Sequence, residues 1–76
     1  MTDIVIKTIS EVLGTSINED TSQDNCHAWT SLQHFIIIVA LEDVFDISIE
    51  PEDMENMKNV KKIETIIKRY KQQKND

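Results

Sequence analysis

The chain has one cysteine, one glycine, one proline and four aromatic side chains in 76 residues. A single Cys26 excludes an internal disulfide, and no Cys/His spacing matches a zinc site, so neither covalent nor metal stapling supports the fold. That usage fits a reducing compartment, and a cytoplasmic location is expected. One Gly and one Pro leave little material for sheet turns and much uninterrupted sequence for helices. No apolar run reaches membrane-spanning length, and no basic segment leads into an apolar one, so neither insertion nor export is expected. Basic side chains are scarce where they would matter for nucleic acid. The net charge is −6, and residues 1–50 set nine acids against Lys7 alone. Phosphate neutralisation needs clustered Lys and Arg, so this balance argues against a nucleic-acid partner, although residues 51–76 set seven bases against five acids. A domain of this size removes only about 60% of its unfolded surface from water, so a single modest core is expected over residues 1–76.

What the chain does have is a dense apolar stretch from Ser31 to Asp46 without Gly or Pro. Its periodicity predicts a helix of about four turns with Ser31 at the N-cap. At roughly 100° per residue the apolar side chains divide into two faces. Ile37, Ile38, Leu41, Val44 and Phe45 share one, with His34 at its edge; Leu32, Phe35, Ile36 and Val39 share the other. One face suffices for a core. The second is either buried because a small bundle encloses the helix or left outside as a docking surface.

Around this helix three others are expected. Over residues 3–13, Val5, Ile6, Ile9, Val12 and Leu13 line one face, and Gly14 follows where a left-handed cap is wanted. Residues 15–30 form a long polar loop, with Ile17 and Trp29 as its anchors. Asp20, Ser22 and Asp24 imitate the start of a calcium loop, but the required Gly is Asn25 and the bidentate Glu is Ser31, so that reading fails. Ile47 and Ile49 point inward along a short connector. Pro51 opens a third helix, running to Met57, whose Glu52 and Asp53 suit its dipole. Asn59 caps a fourth, in which Val60, Ile63, Ile66, Ile67 and Tyr70 line one face; residues from Gln72 onward are expected to fray. The expected architecture is all-α: a four-helix bundle with a long first loop and a short third helix.

Ser31 is the one side chain placed for covalent chemistry. Cys26 and His27 lie nearby, but no Asp or Asn completes a nucleophilic triad and the polar loop is the wrong setting for one. The residues Thr30-Ser31-Leu32, with Ala40-Leu41-Glu42-Asp43-Val44-Phe45-Asp46-Ile47-Ser48-Ile49 downstream, resemble the Asp-Ser-Leu motif and the later Leu-Glu-acidic segment of the acyl carrier proteins. Pro51-Glu52-Asp53-Met54-Glu55 and Val60 also fit, so the resemblance covers essentially the whole chain. It implies a non-enzymatic, monomeric carrier whose Ser31 accepts a 4′-phosphopantetheine arm from coenzyme A through a separate phosphopantetheinyl transferase. It further implies acyl-loading, condensing or transferring enzymes as partners, docking around Thr30, Leu32, Phe35, Ile36, Val39, Glu42 and Asp43. A phosphodiester at a helix N-terminus is physically well placed, facing free amides and the positive end of the dipole. The plainer reading of Ser31 is a helix cap. Departures from the motif, with Thr30 for the usual Asp and Gln33 and Ile36 for acids, point to a specialised biosynthetic pathway. Aminoacyl or peptidyl cargo, or a carrier-like interaction module without the arm, are the alternatives.

Overall fold

The computed structural model describes residues 2–74. Four helices follow in order: α1 (Thr2–Leu13), α2 (Ser31–Phe45), α3 (Pro51–Asn56) and α4 (Val60–Lys74). Among the described residues there is no strand, and the one extended pairing is an isolated bridge between Ser22 and Asn59. α1 packs against both α2 and α4, and α3 rests on α4. This is the all-α bundle expected, with its long first loop and short third helix.

Each helix forms where its apolar spacing meets a suitable end. α1 buries Val5, Ile9 and Leu13, and Ile6 and Val12 lean on the same core. It stops at Gly14, whose φ of 70° lies in the left-handed region open to glycine at little cost, and the Gly14 N–H donates to the Ser10 carbonyl at 2.8 Å. α4 buries Val60, Ile63, Ile66 and Ile67, and Asn59 caps it, its Oδ1 accepting the Lys62 N–H at 2.8 Å. Thr2 at the start of α1 donates to the Glu64 carboxylate, tying the two outer helices together. α4 is helical to Lys74, so the stretch from Gln72 expected to fray begins inside the helix; Asn75 and Asp76 lie outside the described residues.

The long loop is pinned at two levels. Trp29 is buried, and Ile17, Cys26 and Ala28 lean on the core beside it. Farther out, the Gln23 N–H donates to the Lys58 carbonyl at 2.8 Å and the Val60 N–H to the Thr21 carbonyl at 3.1 Å, lashing the loop to the start of α4. Asn25 fills the centre of the pseudo-calcium sequence: its Oδ1 accepts the Ser22 N–H at 2.9 Å and its Nδ2 donates to the Asp20 carbonyl at 3.0 Å. No metal-holding cluster occurs among the described residues.

The body of α2 needs one correction, at Val44. The helix ends at Phe45, because Asp46 turns left-handed (φ 55°, ψ 54°) and its N–H returns to the Glu42 carbonyl; Asp tolerates that conformation better than most residues. Val44, expected in the core, is half exposed. On a helix advancing about 100° per residue it lies at the margin of the buried arc of Ile37, Ile38, Leu41 and Phe45, and nothing covers that margin over the last turn. α3 also ends one residue early, at Asn56, with Met57 as its buried cap.

Candidate functional site

The start of α2 is built by residues on either side of Ser31. Thr30 has extended backbone (φ −79°, ψ 173°), and its hydroxyl accepts the Gln33 N–H at 3.2 Å, so Thr30 and not Ser31 is the N-cap. Thr and Ser both cap well, and sequence alone could not tell which of two neighbours would do so. The Thr30 carbonyl takes the His34 N–H at 2.8 Å and completes the first turn. Ser31 is therefore the first fully helical residue, exposed, and its hydroxyl makes no hydrogen bond within the described residues. The Ser31 and Leu32 amides are likewise unpaired there, as helix starts require. A free hydroxyl beside free amides at the positive end of a 15-residue helix is a favourable seat for a phosphate ester.

The two faces of α2 separate as their spacing indicates. Ile37, Ile38 and Leu41 are fully enclosed, whereas Leu32 is 70% exposed, Phe35 57%, Val39 48% and Ile36 41%. Enclosure by a small bundle is thereby ruled out. These four side chains form an apolar strip beginning one residue beyond Ser31, with Asp43 exposed farther along the helix. Glu42 is used differently: it is half-buried, and its Oε2 accepts the Ile49 N–H at 2.8 Å, clipping the connector to α2.

Near Ser31 the sequence reading missed one feature. The buried Trp29 donates its indole N–H to His34 Nδ1 at 3.0 Å, and His34 Nε2 lies 2.8 Å from the Met54 carbonyl oxygen of α3. The rings stack with centroids 6.0 Å apart. No sequence pattern announces a side-chain pair reaching across a helix start, although a Trp two residues before Ser31 and a His three after it were the available clue. Asp24, Cys26, His27 and Thr30 edge an open polar cleft on the loop side. Cys26 and His27 both line that cleft. Two further depressions along α4 share no residue with α2.

No family profile and no curated protein sequence matches the chain. A match to a solved structure does exist: the solution NMR structure of holo acyl carrier protein from Geobacter metallireducens superposes with a TM-score of 0.84 at 24% identity, covering 96% of this chain and 87% of that one. This is the acyl carrier protein fold. Within it, Ser31 opens the second helix, directly after the long loop, and the apolar strip runs away from it along that helix.

Proposed function

We propose that the protein is a carrier of acyl groups, held as thioesters on a 4′-phosphopantetheine arm attached to Ser31, in a specialised biosynthetic pathway. The observation that carries this reading is the division of labour at the start of α2, where Thr30 takes the cap and leaves the Ser31 hydroxyl exposed and uncommitted. A capping serine would have been spoken for. The holo form of the similar structure supports the same reading.

Attachment requires the Ser31 Oγ to form a bond to the pantetheine-bearing phosphorus of coenzyme A. The bond from that phosphorus to the adenosine 3′,5′-bisphosphate oxygen breaks, and the hydroxyl proton passes to a base on the transferase, which also supplies magnesium. The residues of this chain position the oxygen and seat the resulting phosphodiester against the Ser31 and Leu32 amides. The thiol ending the arm supplies the thioester chemistry. Partner enzymes dock on the strip of Leu32, Phe35, Ile36 and Val39, with Thr30 and Asp43 at its border; Glu42 contributes chiefly by holding the connector.

The test is intact-mass spectrometry after incubation with a broad-specificity phosphopantetheinyl transferase, coenzyme A and magnesium. Wild type is expected to gain one arm and Ser31→Ala none. An unmodified wild type with several transferases, or a modified Ser31→Ala, sinks the carrier reading and leaves the arm-less interaction module.

A further inference from the structure

The Trp29–His34–Met54 arrangement joins three elements around Ser31. An indole nitrogen can only donate, so His34 Nδ1 is an acceptor, and the proton of the neutral ring sits on Nε2 and is donated to the Met54 carbonyl. One limb reaches Trp29, 2% exposed and rooted in the core. The other reaches α3, a six-residue helix that buries no side chain within its own span. α3 is also held by Met54, which leans on the core, and by Asp53, which accepts from Arg69 at 2.7 Å and from Tyr70 at 2.6 Å on α4.

We infer that His34 is a positioning residue for modification of Ser31, a clasp that fixes the turn carrying the hydroxyl to the core on one side and to α3 on the other. The inference rests on the carrier reading. Thr30 sets the backbone at the start of the helix, but a cap fixes only local dihedrals. Where the first turn sits relative to Trp29 and α3 is fixed by the His34 ring, bonded at both nitrogens. A nucleophilic oxygen held still costs less to orient against an incoming phosphorus than one on a turn that sways, and supporting hydrogen bonds are what hold such groups to small tolerances.

Three substitutions divide the limbs. His34→Asn keeps an acceptor near the position of Nδ1, His34→Gln keeps a donor near that of Nε2, and His34→Phe keeps the ring and loses both. The expected spectroscopic signature is a protected Trp29 indole N–H in wild type and His34→Asn that exchanges rapidly in His34→Gln and His34→Phe. The amides of α3 should be protected in wild type and His34→Gln and exchange faster in the other two. With helical circular dichroism retained at the assay temperature, kcat/KM for arm loading should fall about tenfold or more in His34→Phe, with His34→Asn and His34→Gln between it and wild type. Wild type that loads while His34→Phe loads equally fast overturns this inference alone, as does slowing that merely tracks the unfolded fraction. Wild type that takes no arm overturns the carrier reading and this inference with it.

Discussion

Thr30 and Ser31 are adjacent hydroxyl residues with opposite duties, and that difference is measurable as stability. Thr30 satisfies an amide of the first turn that would otherwise be orphaned. Replacing a capping Thr by Ala typically costs about 1 kcal/mol, so Thr30→Ala should lower the unfolding free energy by that amount, moving the denaturant midpoint down without changing the slope. The Ser31 hydroxyl makes no hydrogen bond among the described residues, and surface substitutions away from special features usually stay within about 0.5 kcal/mol; Ser31→Ala should unfold like wild type. Urea unfolding followed by circular dichroism decides. A Ser31→Ala protein as destabilised as Thr30→Ala would mean that Ser31 shares the cap and that its hydroxyl is not free. Asp53 offers a second residue-level test. Its carboxyl is held below the ordinary value of 3.8, first by the Tyr70 hydroxyl and then by Arg69. A depressed acid stabilises the folded state above its unfolded pKa and loses that contribution as pH falls through the lower, folded value. The melting temperature of Asp53→Asn should therefore lie below that of wild type by a constant margin at neutral pH, and the margin should close only as pH falls below about 4. A margin that closes nearer pH 6 would assign the stabilisation to another group.

At the scale of elements, α1 and α4 were legible in the sequence because each has one apolar stripe and a distinctive end: Gly14 beyond α1, and Asn59 before α4 with its side chain on the Lys62 amide. α2 was legible in its body and not at its ends. Its apolar side chains cover two faces, so periodicity identified the helix and the buried arc but could not say whether the second face was enclosed. That depended on where α1 and α4 pack, and both leave Leu32, Phe35, Ile36 and Val39 outside. The cap was ambiguous because two suitable residues stand side by side, and the left-handed turn of Asp46 that ends the helix leaves little trace in composition. Backbone pairing between Ser22 and Asn59 was beyond reach for a simpler reason: a single bridge between distant loops carries no side-chain signal. The candidate site divides the same way. Ser31 was found through the motif it resembles, whereas the clasp of Trp29, His34 and Met54 depends on the approach of α3, a tertiary event.

Considered whole, the molecule is an elongated bundle of 38 × 23 × 18 Å with a net charge of −6. Such a charge favours steering toward basic partners, which raises the question of what dominates recognition on α2. Of the acids expected to dock partners there, Glu42 is turned to the Ile49 amide, and an exposed acid such as Asp43 contributes about 0.2 to 1 kcal/mol per ion pair, less as salt rises. The apolar strip offers more. Fully burying one Ile or Phe side chain contributes about 1.5 to 3 kcal/mol, and four neighbouring apolar residues stand 41 to 70% exposed. Affinity for the transferase should thus fall only a few-fold between about 50 and 150 mM salt, where screening of exposed charges strengthens. Ile36→Glu should keep the helical spectrum and melt near wild type, because the opposite face of α2 supplies the core, and yet bind about tenfold or more weakly, since a buried carboxylate without a partner is costly. Titration calorimetry at two salt concentrations measures both effects. If Ile36→Glu unfolds the protein, the strip is core after all; if it binds normally while salt dissolves the complex, the acids lead and the strip has some other occupant.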